Sequence, residues 1–199
     1  MSERLILDKS FRHMEVNMYE LLILGMLGTR DMSGYKLGRV LESSLVPRRE
    51  ISNGVMYPLL NRLTAQGYIE VNEKQTDPRK KKMMHITQKG IERFKELMSS
   101  PVPMDAKRES IYRFKFHGMG GVDEATQQQI LEEYENANQT DSNIYRSVRE
   151  HLEHKLQEPE SNHDSLQWGV RSLELSIAIC ETKQTWIDKS RTQIKQKKE

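Results

Sequence analysis

The stretch "ISNGVMYPLLNRLTAQGYIE", Ile51 to Glu70, decides the reading of this chain. Met56, Leu59, Leu60 and Leu63 recur at helical spacing, and Gln66-Gly67 is a natural stop. Yet Gly54 and Pro58 sit near the front, where each should weaken a helix. With Ser52 as N-cap, Pro58 falls at about the sixth helical position, its ring against the Gly54 carbonyl, and one intrahelical bond is lost. A glycine there puts no side chain into the strained turn. It also leaves the helix front bare, so that a phosphate can approach the free backbone N–H groups. The first turns can be irregular if something other than protein packs on them. A rival start at Pro58, a favoured first position for proline, would make Tyr57 the cap, a poor one. The Ser52 start is preferred.

Upstream, Tyr19, Leu22, Ile23 and Met26 mark one face of a helix at about 15–28. Ser33 is a good N-cap for a second helix lined by Leu37, Val40, Leu41 and Leu45, which Pro47 ends. Downstream of Gly67 the apolar period changes from about 3.6 to about 2. Tyr68 to Lys74 and Lys82 to Ile86 read as two strands joined by the turn "TDPRK". Thr87 then caps a helix with Ile91, Phe94, Leu97 and Met98 on one face. Three helices, a basic hairpin and a fourth helix make a winged helix-turn-helix, an α+β unit in a mainly α chain. The boundaries are an N-terminal arm at 1–14, the winged helix at 15–98, a connector at 99–122 and a helical domain at 123–199.

In that last segment Leu166, Val170, Leu173, Ile177, Cys180, Gln184, Ile187, Arg191 and Ile194 alternate by four and three, a heptad seam with two polar interruptions. A preceding helix at about 123–157 offers Ile130, Tyr134, Ala137, Ile144, Val148, Leu152 and Leu156. Neither stripe can be buried by its own helix. The choice is between a hairpin within one chain and pairing between two chains.

The chain's 199 residues are 36% hydrophobic and 30% charged, which fits long solvated helices beside a modest core. No run is long and apolar enough for a membrane span, and the start does not read as a secretory signal. The single cysteine, Cys180, excludes an intrachain disulfide and suits a reducing compartment, so a cytoplasmic location is expected. Residues 1–100 carry 17 Lys+Arg against 12 Asp+Glu, and residues 101–199 carry 14 against 17. A basic half joined to a mildly acidic half fits a nucleic-acid module plus a protein-facing module.

Residues ~15–98 resemble the PadR family of bacterial transcriptional regulators. The resemblance rests on Leu24-Gly25-Met26-Leu27, Ser33-Gly34-Tyr35, Tyr57-Pro58 with Leu60, Arg62-Leu63, Gly67 and Ile69, and Ile86-Thr87 with Gly90, in that order. The chain departs from the pattern at Lys80-Lys81-Lys82, where relatives often carry Gly or aromatics. The departure bears on sequence preference rather than on fold. "PVPMDAKRESIYRFKFHGMGG" resembles the connector of the longer members, whose C-terminal helices pair across a two-fold axis. The resemblance thus implies a coiled-coil-like dimerisation domain, with Leu166, Val170, Leu173, Ile177, Cys180 and Ile187 as its seam. It also implies a repressor released by a small aromatic effector such as a phenolic acid. Trp168 and Trp186 either pack the dimer core or are the large flat surfaces for such a molecule, with Arg113, Lys115 and His117 to pair a carboxylate.

Residues near the front of the Ser52 helix should face the major groove. Asn53 and Asn61 suit adenine, Val55 a thymine methyl. Ser52, Tyr57, Tyr35, Arg48 and Arg49, with Arg79, Lys80, Lys81 and Lys82 of the wing, suit phosphates. The expected partners are double-stranded operator DNA and a second copy of the chain. The enzyme signals are poor. His151 and His154 lack the order of a metal-binding HExxH, "HGMGG" lacks the lysine of a phosphate loop, and no nucleophile triad can be assembled. No cofactor or metal is expected. The reading from another class is a coiled-coil scaffold whose winged helix makes protein contacts; it would bind no duplex.

Overall fold

The structure, a computed structural model, describes residues 18–48, 50–73, 82–160 and 162–196. It divides into two compact units, Met1–Thr126 and Gln127–Glu199. The expected arm at 1–14 lies outside the described residues.

In the first unit residues 18–27 form helix α1. Met18, Leu21, Leu22, Ile23, Leu24 and Leu27 are all buried, so this helix is covered on every side rather than on the one face its periodicity marks. A two-residue strand β1 (Met32–Ser33) leads into α2 (Gly34–Ser44), capped by Ser33, whose hydroxyl accepts the Lys36 N–H at 3.4 Å. Helix α3 (Asn53–Ala65) and strands β2 (Ile69–Glu73) and β3 (Lys82–Ile86) follow. The sheet is antiparallel, in the order β1-β3-β2, with Ile69 opposite Ile86 and Met32 opposite Met84. It has three strands where the sequence predicts two. Two residues are too short to show a period, and β1 exists only because the edge of β3 is there to pair with it.

Two glycines hold α3 to the strand that follows. Gly67 has φ 72°, and the Tyr68 N–H reaches Leu63 O at 2.9 Å while the Gly67 N–H reaches Thr64 O at 2.9 Å, a Schellman ending. Thr87 caps α4 (Gln88–Ser99), accepting the Gly90 N–H at 3.0 Å, and its hydroxyl also donates to the Gly67 carbonyl at 2.6 Å. Any Cβ on Gly90 would collide with the Tyr68 carbonyl. The stretch expected as connector carries a helix, α5 (Arg108–Gly118), then a 3₁₀ turn at Met119–Gly121. Tyr112, Phe114 and Lys115 of α5 are buried. A lysine on the buried face breaks the apolar pattern, so α5 is hard to see in the sequence.

The second unit is built from α6 (Glu124–Lys155) and α7 (His163–Gln196). They lie antiparallel. Asn138 donates to the Cys180 carbonyl at 2.9 Å, Gln184 to Glu135 at 2.6 Å, and Arg191 pairs with Glu135 at 2.7 Å. Ile130, Leu131, Tyr134 and Ala137 are buried on α6, and Ile177, Cys180 and Ile187 on α7.

Candidate nucleic-acid interface

Helix α3 is asymmetric. Met56, Leu59, Leu60 and Leu63 bury its rear, while Asn53, Val55, Tyr57 and Asn61 are exposed along its front. Ser52 is the N-cap in extended backbone, yet its hydroxyl makes no capping bond. Its carbonyl instead receives the Val55 N–H at 2.9 Å and the Met56 N–H at 3.1 Å. Pro58 lies inside the helix, the sixth residue counting from Asn53, at an exposed position. A Cβ on Gly54 would meet only the Ser52 hydroxyl, at an ordinary 3.7 Å. Nothing among the described residues therefore demands a glycine at 54. The bare front, the unused hydroxyl and the tolerated proline share one cause: none of the described residues packs on this face.

A groove of about 750 Å³ runs beside this front, with Tyr35, Tyr57, Asn61 and Lys82 among its lining residues. Tyr35, at the start of α2, is 77% exposed. Arg48 is exposed on the approach to α3. Arg49, Arg79, Lys80 and Lys81 lie outside the described residues. The groove thus brings together two tyrosines, an amide and an ammonium from α2, α3 and β3. Amides can pair with base edges, and phenols and ammonium groups with phosphates. Val71 also lines the groove, which the sequence reading did not foresee. It shares a strand face with buried Ile69, and alternation alone assigns both to the core. Only the neighbouring elements decide that Val71 is left uncovered.

Behind α3, Arg62 reaches Glu20 of α1 at 2.7 Å, and Arg93 of α4 reaches the other Glu20 oxygen, also at 2.7 Å. Glu20 is 2% exposed. Burial works to lower the Arg93 pKa, but the bonds to Glu20 and then to Glu96 outweigh it, and the guanidinium is held above its ordinary value. Sequence reasoning took Arg62 only as part of a motif. Its partner lies 42 residues away, beyond any local pattern.

Of the residues expected to bind an effector, Arg113, Lys115 and His117 lie on α5 in the first unit and Trp168 and Trp186 on α7 in the second. Lys115 is 1% exposed and donates to the Ser100 carbonyl at 2.6 Å. It lines a cavity of about 210 Å³ together with Met18, Leu21, Arg93, Leu97 and Ile111. Arg113 and His117 point to solvent on α5. Trp168 and Trp186 are exposed on α7, with the Arg171 guanidinium 4.8 Å from the Trp168 ring.

The expected self-association seam finds a different first partner. Ile177, Cys180 and Ile187 are buried and Leu166, Val170 and Leu173 half-buried within one chain, because α6 folds back along them. That closure leaves a second stripe exposed. Trp168, Leu175, Ile179 and Trp186 follow one another at intervals of seven, four and seven, again a heptad seam. On α6, Ile144 and Val148 are exposed as well. Among the described residues no helix is long and apolar enough to cross a membrane, and no group of three His, Cys, Asp or Glu side chains is placed to hold a metal.

Three helices, the antiparallel pair β2–β3 and an uncovered helix front define the class: a winged helix-turn-helix protein that presents α3 outward. Residues 23–96, less than half of the chain, match the family described as Transcriptional regulator PadR-like family. Over these residues the winged-helix unit is similar to the PadR-like transcriptional regulators. Among solved structures the chain is similar to Bacillus subtilis PadR in complex with operator DNA, at 17% identity over 82% of this chain and 94% of that one, with a TM-score of 0.39. It is similar to Bacillus subtilis PadR in complex with p-coumaric acid, at 19% identity, 86% and 99% coverage and a TM-score of 0.39. A PadR-like regulator from Bacillus cereus is 22% identical, with 86% and 99% coverage and a TM-score of 0.35. No curated protein matches.

Proposed function

We propose that the protein is a cytoplasmic repressor that binds operator DNA as a homodimer, with α3 in the major groove and the β2–β3 hairpin along the backbone. The observation that supports this most is the front of α3, where Asn53, Val55, Tyr57 and Asn61 stand exposed over a closed core. Asn53 and Asn61 read adenine, Val55 meets a thymine methyl, and Ser52, Tyr57, Tyr35, Arg48 and Arg49 hold phosphates together with Arg79, Lys80, Lys81 and Lys82. A dimer must set two α3 helices one turn of DNA apart, about 34 Å. The second copy covers the Trp168–Leu175–Ile179–Trp186 stripe, which one chain leaves bare. The helical region 123–199 is then the dimerisation domain.

Release by a small aromatic acid completes the reading. The cavity beside Lys115 supports it: apolar walls from Leu21, Leu97 and Ile111 meet a buried ammonium, which suits a carboxylate on an apolar body. Duplex of random sequence, titrated at rising salt, tests the core of the proposal. Binding should weaken steeply, with a slope of about 0.9 per phosphate contact. A protein that binds no duplex even at low salt is a scaffold and no regulator. Titration with p-coumarate should release DNA and protect the protein thermally over one concentration range. Lys115→Met should shift both together.

A further inference from the structure

The front of α3 is poorly fixed by its own sequence. Its cap residue makes no side-chain bond, and Pro58 removes a backbone bond within the first two turns. What fixes the helix lies behind it. Four apolar residues pack the rear, but apolar contacts are non-directional and permit small rotations about the helix axis. The Arg62–Glu20 pair does not: it joins an atom of α3 to an atom of α1 at 2.7 Å, on a carboxylate that is nearly sealed from water. Arg93 holds the second oxygen of the same carboxylate from α4, so Glu20 cannot swing with α3. Arg93 is itself braced by Glu96 at 3.2 Å. The arrangement is a clamp with its fixed point in the core. Its stability value is small, since burying such a node costs desolvation that the Coulomb attraction roughly offsets. Geometry is what it supplies.

We propose that Glu20 is a positioning residue for DNA reading: through Arg62 it sets the rotation of α3, and hence whether Asn53, Val55 and Asn61 meet base edges. The inference rests on the DNA-binding reading above. It assigns no DNA contact to Glu20 or to Arg62. Arg62 sits on the inward side of α3, one residue past outward-facing Asn61, with its guanidinium on Glu20.

The test needs discrimination rather than affinity alone. A duplex enriched by the wild-type protein from a random library serves as the specific probe, and unselected duplex as the reference. Glu20→Gln should lower the ratio of specific to reference affinity about tenfold, the cost of roughly one misread base pair, and leave reference affinity and salt slope within about twofold. Glu20→Met combined with Arg62→Met restores apolar packing and should recover thermal stability without recovering discrimination. Should Glu20→Gln fail to fold, Glu20→Asp keeps the charge but withdraws it by one methylene, and should still lose discrimination. Discrimination that returns together with stability in the double variant would overturn the proposal, because the node would then be structural only. Full discrimination in Glu20→Gln or Glu20→Asp would overturn it too. A lowered salt slope in the double variant would make Arg62 a phosphate contact and also overturn it. A wild-type protein that enriches no sequence defeats the DNA reading itself, and is told apart by that first step.

Discussion

The winged-helix unit and the α6–α7 hairpin both leave apolar side chains in water, but of different chemistry. In the first unit the exposed ones include Tyr35, Val55 and Tyr57, and Asn53 and Asn61 stand among them. In the second they are Ile144 and Val148 on α6 and, in a heptad row on α7, Trp168, Leu175, Ile179 and Trp186. A surface of phenols and amides can trade water for phosphates and base edges. A row of Trp, Leu and Ile has no such use and gains only by burial against another apolar row, at about 25 cal/mol per Å². On the proposed reading, the same chain specifies one face for nucleic acid and one for protein, told apart by the chemistry each leaves uncovered.

The comparison can be broken at its largest point by unfolding one region alone. Gly90→Ala should cost the winged-helix unit about 3 kcal/mol or more, because the new Cβ meets the Tyr68 backbone. Denaturant melts should show the loss, while the α6–α7 helical signal survives to higher denaturant. An unchanged midpoint would mean the contact between α4 and Tyr68 yields freely.

Next comes the exposed stripe. Leu175→Glu should weaken self-association by about 2–3 kcal/mol and leave the monomer folded, since Leu175 is 64% exposed in one chain. Sedimentation at several concentrations checks this. A dimer as tight as the wild type would return the interface to another surface, and the two exposed faces would no longer have separate partners.

Asn53→Ala addresses the other face. It should cost about 1–3 kcal/mol per half-site on a selected operator and little on random duplex. Equal losses on both would make Asn53 a phosphate contact.

Lys82→Ala should have a smaller effect, uniform across sequences, with the salt slope lowered by about 0.9 per subunit. Sequence-dependent losses would instead give the β3 edge a reading role.

The smallest effect belongs to the hairpin. The Gln184 hydrogen bond holds the Glu135 carboxyl below its ordinary pKa; burial opposes it, and the bond and charge of Arg191 add to the lowering. A depressed folded value stabilises above the unfolded pKa, about 4.3, and that contribution is lost as pH falls through the folded value. Glu135 is half-buried and still reached by water, so the loss should be on the order of half a kcal/mol. Glu135→Gln should flatten the acid limb of the hairpin's thermal stability. An identical acid limb would place the titration elsewhere.

Much of this was legible along the chain. Ser33 and Thr87 cap the helices they precede, Gln66-Gly67 ends α3, and the change of period after Gly67 marks the strands. These are local events, set by backbone preferences and by bonds spanning a few residues. The heptad row of α7 was legible as well, and so was the choice it posed. Only tertiary structure made the choice, because a stripe specifies that it must be covered and not by whom. Strand β1 needed the edge of β3, α5 needed a site for a buried lysine, and Glu20 needed two arginines from distant helices. Local sequence determined the elements and the chemistry of their faces. Which face meets protein, which meets solvent, and which carboxylate fixes α3 depended on long-range packing, since burial belongs to the neighbours a residue acquires and not to the residue itself.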